Sequence, residues 1–166
     1  MMTTNEIVAF LQAVPTFKGM SSEQLKALAE VCEVKTFSMG ENIFRQGDVG
    51  GAMYIVVEGR VVLERELKNK NDTISMNEVK SHGYFGEISL FHEAPRSVTA
   101  TVFTETKILR VDNDDFTAFL RQYPDLLVKL NQVLSERLLE AYDKISEMTQ
   151  YKKPRELRKL YDKLDF

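Results

Sequence analysis

The sequence predicts a mainly β domain with flanking helices, and three observations support this. Between residues 40 and 59, glycines separate short stretches rich in β-branched and aromatic residues, which is typical of strands joined by tight turns. The first forty residues and the segment after Val111 have helical spacing instead. The 166 residues, 43% of them hydrophobic, are enough for one ordinary domain with a buried core.

Residues 1–33 are predicted to form N-terminal helices. The dipeptide Val14-Pro15 ends a first short helix, because proline interrupts helical hydrogen bonding. Ser21 and Gln24 have the spacing of a capping box, so a second helix is expected to begin there. Its apolar face is expected to contain Leu25, Leu28, Ala29 and Cys32. We interpret Cys32 as a small buried hydrophobic residue.

Residues 34–111 are predicted to contain the strands. Stretches of strand length occur at 41–45, 53–57, 60–64, 74–79, 97–103 and 107–111. The polar segment 68–72 is expected to be a hairpin tip, and Thr104-Glu105-Thr106 is predicted to be the turn between the last two strands.

Residues 112–150 are predicted to form two C-terminal helices. The acidic run from Asp112 to Asp115 offers N-caps and negative charges that suit a helix start, and Pro124 is expected at the first position of the second helix. Apolar residues from Leu126 to Met148 spread over about seven turns. Because this surface is wider than one seam, helix 125–148 could pair with a second copy, and packing on its own domain is the alternative. Residues 151–166 form a basic tail with six basic and three acidic residues.

The segment that indicates chemistry begins at Gly86 and Glu87. A glycine and a glutamate followed within three residues by two apolar residues, Ile88 and Leu90, predict a single helical turn, whose free N–H groups suit an anion. Arg96 is expected at a strand start fixed by Pro95, where its guanidinium can bind a phosphate through two hydrogen bonds. If Glu87 faces the same pocket, its carboxylate must accept from hydroxyls, so a sugar is implied. A phosphate with a sugar hydroxyl indicates a nucleotide.

The stretches Phe85-Gly86-Glu87-Ile88-Ser89-Leu90 and Ala94-Pro95-Arg96-Ser97-Val98-Thr99 resemble the phosphate-binding cassette of the cyclic nucleotide-binding domain family. That family includes catabolite activator proteins, regulatory subunits of cAMP-dependent kinase and ligand domains of nucleotide-gated channels. Further upstream, Gly40-Glu41, Gln46-Gly47-Asp48 and Tyr54-Ile55-Val56 fall where the family places barrel strands and glycine turns. The resemblance covers about residues 5–148 and implies a double-stranded β-helix, a jelly-roll-like β-roll, at 34–111 with its cassette at 85–98.

The resemblance also implies roles for individual residues. Glu87 would accept the ribose 2′-hydroxyl and Arg96 would pair with the cyclic phosphate. The turn at Gly86 and the amides around Ile88, Ser89 and Ser97 would complete the phosphate cradle. The base would stack on Tyr142 or meet a backbone group, because the neighbouring Ala141 has no side chain that can hydrogen-bond. Val98 stands where many members carry alanine and would crowd the base.

We therefore expect a stand-alone sensor that binds cAMP rather than cGMP and signals to a protein partner by movement of the C-terminal helix. The alternative is a β-roll interaction module that binds no cyclic nucleotide, or binds a different nucleotide. In this alternative, Glu87 and Arg96 would form an internal salt bridge. Ser97 leaves the preference for cAMP weak, because its hydroxyl could also meet guanine.

Other classes of function are not expected. The ten-residue separation of His82 and His92, with one cysteine, does not match a structural zinc site or the metal site of a cupin-like enzyme, so we expect no metal and no catalysis. A net charge of -3, with too few residues after the long helix for a helix-turn-helix, argues against DNA binding. The N-terminus has no secretion signal and no apolar run is long enough to span a membrane, so a cytoplasmic protein is expected.

Overall fold

A computed structural model describes residues 2–66, 73–91 and 94–149. The chain forms two compact units, residues 1–124 and 125–166. The first unit contains the strands and all but one of the helices described, and the second contains one long helix. The hairpin tip predicted at 68–72, His92 and the basic tail 151–166 lie outside the described residues. No helix in the described part of the chain is long and apolar enough to cross a membrane.

Two short helices precede the sheet. Helix α1 spans Thr4–Ala13, a 3-10 turn follows at Pro15–Phe17, and helix α2 spans Ser22–Glu30. The capping box predicted at Ser21 is confirmed: the Ser21 hydroxyl accepts from the Gln24 N–H at 3.2 Å, and the Gln24 side chain accepts from the Ser21 N–H at 2.8 Å. Thr3 and Glu6 form the same motif on α1.

Six strands of the described part of the chain form one antiparallel sheet. The strands are β1 (Cys32–Phe37), β2 (Asn42–Phe44), β3 (Ala52–Glu66), β4 (Thr73–Lys80), β5 (Tyr84–Phe85) and β6 (Thr99–Asp112). Their order is β1-β6-β3-β4, with β2 paired to β6 and β5 paired to β3. The predicted fold class, mainly β with flanking helices, is confirmed.

The placement of Cys32 on the apolar face of the second helix is wrong. Helix α2 ends at Glu30, and Cys32 is the first residue of β1, paired with Val111. Its thiol still donates to the Leu28 carbonyl at 3.2 Å, so the side chain stays against the helix end. Burial raises the pKa of the Cys32 thiol to about 12.

The turn predicted at Thr104-Glu105-Thr106 is also wrong, because β6 runs without interruption through it. The irregularity lies in the partner strand: the register of β3 against β6 shifts between Val56 and Val61. Gly59 has φ +95° there, and a Cβ on it would lie 2.4 Å from the Glu105 carbonyl oxygen. The strand therefore bulges at a residue without a side chain, and β6 needs no turn.

Three further helices are described. Helix α3 (Ile88–Phe91) lies between β5 and β6, and helices α4 (Asn113–Gln122) and α5 (Asp125–Thr149) follow the last strand. Pro124 immediately precedes α5 and is not its first residue, so the predicted helix start is one residue early. In the second unit, the larger exposed apolar residues of α5 are Leu127, Val128, Leu138, Leu139, Tyr142 and Ile145.

The sheet encloses an apolar core that lies next to the predicted cassette. Its buried members are Phe44, Ala52, Tyr54, Val56, Val61, Val79, Phe85, Ala100 and Ile108. Three of these side chains are aromatic, and the cassette follows Phe85 directly. The predicted cassette therefore begins directly beside this buried core.

Candidate functional site

The site begins at the turn that joins β5 to α3. Gly86 has φ +80°, a conformation that residues with a side chain rarely adopt. A Cβ at this position would lie 2.9 Å from Nη1 of Arg96 and 3.2 Å from the Ala52 carbonyl oxygen. The single helical turn expected after Glu87 is present as α3, residues Ile88–Phe91. Glycine at position 86 thus lets the backbone turn while leaving room for the arginine.

Arg96 is the buried cation of the site, with 6% of its surface exposed. Its Nη1 donates to the Gly86 carbonyl oxygen at 3.0 Å and to the Ser89 hydroxyl at 2.9 Å. Its Nη2 donates to the Ala52 carbonyl oxygen at 2.7 Å. The Nε atom is buried and has no hydrogen-bond partner among the described residues. The guanidinium is therefore held at its two terminal nitrogens, and Nε is its one nitrogen without a hydrogen-bond partner among the described residues.

Aromatic rings line the other side of this guanidinium. Its Cζ atom lies 4.2 Å from the centre of the Phe44 ring and 5.7 Å from the centre of the Tyr54 ring. The Tyr54 ring stacks on Phe85 with centres 5.2 Å apart. Arginine favours such contacts because its flat cation is attracted to the ring face.

Burial has the largest effect on the charge of Arg96 and lowers its pKa. Tyr54, Asp48 and Glu87 act in the opposite direction and raise the pKa of Arg96. The two acidic residues therefore favour the charged form from nearby. The site therefore contains a buried cation whose charged form is favoured by two nearby carboxylates.

The expectation that Pro95 fixes Arg96 at a strand start is corrected. Strand β6 begins only at Thr99, and Arg96 lies in the segment before it. Its backbone is fixed instead by a loop near β2: the Arg96 N–H donates to the Asp48 carbonyl at 2.8 Å, and the Gly47 N–H donates to the Arg96 carbonyl at 2.9 Å. Backbone pairing with a loop that is distant in the sequence therefore replaces the predicted strand start.

The remaining predicted site residues differ in their surroundings. Ser89 is buried at 8% exposure, and its hydroxyl donates to the Gly86 carbonyl at 3.0 Å while accepting from Arg96. Glu87 is half-buried, whereas Ile88 and Ser97 are exposed. Val98 is half-buried against the core of the sheet, and Tyr142 is exposed on α5, in the second unit. The structure thus brings Gly86, Ser89 and Arg96 into direct contact.

Sequence reasoning did not identify several residues that shape this site. Phe44 and Tyr54 contact the guanidinium, and Asn113 donates from Nδ2 to the Ser89 carbonyl at 2.8 Å. Gly50 also shapes the site, because a Cβ at this position would lie 2.3 Å from the Cβ of Ser89 and would clash with it. The available signals were the aromatic residues within the predicted strands, but their contact with Arg96 depends on strand pairing.

The described histidine lies outside this site. His82 has φ +67° in the turn between β4 and β5, and its ring stacks on Phe10 with centres 4.7 Å apart. The described residues contain no group of three or more His, Cys, Asp or Glu side chains placed to hold a metal ion.

The chain is similar in sequence to a known protein family and to several of its members. A sequence model described as the cyclic nucleotide-binding domain matches residues 34–123. The chain is 31% identical to the Cyclic AMP receptor protein of Thermus thermophilus, over 79% of this chain and 60% of that protein. It is 36% identical to a cAMP-dependent protein kinase regulatory subunit of Dictyostelium discoideum, over 64% of this chain and 33% of that protein. The chain therefore spans less than two thirds of the length of each of these relatives.

The solved structures agree with this assignment. The co-crystal structure of the regulatory domain of Toxoplasma gondii PKA with cAMP aligns with a TM-score of 0.70 and 26% identity, covering 78% of this chain and 49% of that chain. The β-roll expected from the cassette motifs is the fold shared with this neighbour. With the family match across residues 34–123, the chain belongs to the cyclic nucleotide-binding domain family.

Proposed function

We propose that this chain is a cyclic nucleotide sensor that binds cAMP rather than cGMP and passes its ligand state to a protein partner through α5. The observation that carries the proposal is the buried Arg96 guanidinium, whose Nε–H is unmet among the described residues. A buried cation with an unpaired donor costs free energy, and an anion reaching that donor would remove the cost. A cyclic phosphate supplies both the charge and the acceptor oxygens.

The character of the neighbouring groups supports a nucleotide over a simple inorganic anion. Glu87 is next to the helical turn, and its charge acts on the pKa of Arg96. A carboxylate repels phosphate oxygens but accepts from hydroxyls, so a ligand carrying both a phosphate and a hydroxyl satisfies both residues. The ribose 2′-hydroxyl of a cyclic nucleotide is the group proposed for Glu87.

The choice of cAMP rests on the site and on the relatives. Ala141 provides no side-chain hydrogen bond to a base, which leaves stacking on Tyr142 as the proposed contact, and stacking tolerates adenine well. The names of the Thermus and Dictyostelium relatives refer to cAMP. Ser97 is exposed beside Arg96 and carries a hydroxyl that could also meet guanine. A Ser97→Ala variant that loses cGMP but keeps cAMP would assign that hydroxyl to guanine.

The proposed output is a change in α5. Binding can influence a partner only if the two states of the domain differ in their affinity for the ligand. The exposed apolar residues of α5, from Leu127 to Ile145, are a surface that such a change would alter. The partner is proposed to be a protein, and a second copy of the chain is one candidate.

Calorimetric titration with cAMP, cGMP and a cyclic dinucleotide tests the proposal. We expect Arg96→Ala to weaken cAMP binding by about ten- to a hundred-fold and Glu87→Ala by less, because charge-assisted hydrogen bonds contribute roughly 1.5–3 kcal/mol. Arg60→Ala is the matched control, because Arg60 is only half-buried and pairs with Glu78. Unchanged affinity in both site variants would refute the proposal.

One observation favours a second candidate, an interaction module that binds no cyclic nucleotide. The terminal nitrogens of Arg96 already join the Ala52 carbonyl to the turn at Gly86, so the residue has a structural role without a ligand. This candidate predicts no binding heat with any of the three nucleotides, together with a lowered melting temperature for Arg96→Ala.

A further inference from the structure

The environment of Arg96 includes an aromatic ring that the proposed function does not yet use. Phe44, at the end of β2, is buried with 8% exposure, and the centre of its ring is 4.2 Å from the guanidinium carbon. The Tyr54 and Phe85 rings lie 5.7 and 5.8 Å from that of Phe44, so Phe44 is itself packed between rings and the arginine. A side chain confined in this way can hold its neighbour in one orientation.

The hydrogen bonds of Arg96 show which side of its guanidinium is without a partner. An arginine has five N–H donors. Both bonds from Nη1, to Gly86 and Ser89, and the bond from Nη2, to Ala52, lie at the terminal nitrogens. Nε is the guanidinium nitrogen that has no acceptor among the described residues, and the second N–H of Nη2 is also outside these three bonds. An anion that meets it in this orientation can use Nε while the terminal bonds remain.

The ring also explains why the cation is an arginine. A guanidinium lies flat against an aromatic face and keeps its donors in its own plane, whereas an ammonium is a compact, strongly hydrated charge. With leucine at position 44, the guanidinium would lose this support. Its orientation would then depend on the three hydrogen bonds of its terminal nitrogens, and its Nε–H would be held less tightly.

We propose that Phe44 is a positioning residue: its ring holds the Arg96 guanidinium so that the Nε–H is available to the phosphate of a nucleotide. The phosphate in this statement rests on the proposed function. The contact between Phe44 and Arg96 does not, and it can be tested without any ligand.

The ligand-free test uses the NMR signal of the Arg96 Nε–H in the full chain, assigned by its loss in Arg96→Lys. We expect the wild-type signal to be shifted upfield by the ring current of Phe44 and to move toward that of an ordinary arginine in Phe44→Leu. Phe103→Leu is the matched control, because it removes a ring 4.8 Å from the half-buried Arg60. An Arg96 signal that stays in place in Phe44→Leu would overturn the contact.

The binding test measures cAMP affinity for the same variants. We expect Phe44→Leu to bind about three- to thirty-fold more weakly, the range of a desolvated cation–π contact. Phe44→Tyr keeps the ring and should restore most of the affinity, while Phe103→Leu should bind as the wild type does. In an Arg96→Lys background, Phe44→Leu should add little further loss, because the ring would act through the guanidinium.

The outcomes separate the two proposals. If the wild type binds cAMP and Phe44→Leu binds it equally well, the positioning role is overturned and the sensor function stands. If the wild type binds no cyclic nucleotide, the sensor function is overturned and the role of Phe44 toward a phosphate is overturned with it. An equal further loss from Phe44→Leu in the wild-type and Arg96→Lys backgrounds would mean that Phe44 supports the fold alone, and would also overturn the positioning role.

Discussion

Replacing Gly86 by alanine tests how tightly the turn and Arg96 fit together. Two effects add at this position. The backbone has φ +80°, where a side chain costs about 1–2 kcal/mol. The new Cβ would also lie 2.9 Å from Arg96 Nη1 and 3.3 Å from Cδ2 of Tyr54. The far end of an arginine can usually move aside, but this one is buried and makes three hydrogen bonds.

Gly40 provides the matched control for this experiment. Its φ is +86°, close to that of Gly86, and a Cβ there would meet no atom within 4 Å. Gly40→Ala should therefore lose only the conformational part of the free energy of unfolding. Gly86→Ala should lose a further 1–3 kcal/mol or so, the range for an extra methyl group forced into a packed site.

The free energies of unfolding are measured by urea titration of both variants. Repeating Gly86→Ala in an Arg96→Ala background should remove much of the extra loss, because the atom nearest to the new methyl is then absent. Gly86→Ala should also weaken cAMP binding, since it moves the guanidinium. Equal losses for Gly86→Ala and Gly40→Ala would refute the reasoning, because they would show that Arg96 gives way at no cost.

Three further predictions concern other parts of the chain. Burial raises the pKa of the Cys32 thiol to about 12, so the thiol ionises at a lower pH in the unfolded chain than in the folded one. The contribution of the buried thiol to the free energy of unfolding is complete below the unfolded pKa of about 9 and is lost as the pH rises toward 12. The difference in free energy of unfolding between wild type and Cys32→Ala should therefore shrink over that range. Thr106→Val should lower the free energy of unfolding by about 1–3 kcal/mol, because the buried hydroxyl accepts from the Arg60 N–H, whereas Thr36→Val on the exposed face of β1 should change it little, and equal effects would contradict this. Amide exchange in residues 136–148 of α5 should slow when cAMP is added, and identical exchange with and without saturating cAMP would argue for binding without signalling.

Several features of this protein follow from the sequence alone because they depend on residues close together in the chain. The capping box at Ser21 and Gln24 joins residues three apart, so its geometry needs no partner from elsewhere. The turn at Gly86 with the short helix after it is equally local. The sequence also indicated that Arg96 belongs with this turn, although only through the spacing of the cassette motifs.

The tertiary structure decided the features that depend on pairing between distant segments. The sequence around Thr104 is polar enough to suggest a turn, yet Thr106 is fully buried and β6 continues, because the irregularity is taken up by β3 at Gly59. A bulge depends on which strand lies alongside, and that partner is more than forty residues away.

Some features of the site could likewise be predicted from the sequence, whereas others depend on the tertiary structure. That the cassette would contain a basic residue after the turn could be read from the sequence, but the orientation of its guanidinium could not. The carbonyl of Ala52 and the ring of Phe44 contact Arg96 from two strands that both lie more than forty residues earlier in the chain. Their contact exists only once the sheet has formed, because hydrogen bonds and ring contacts require atoms within a few ångströms and no local pattern specifies that approach. The sequence by itself determined the kinds of residue at the site, and the packing of the sheet decided which nitrogen of Arg96 has no partner among the described residues.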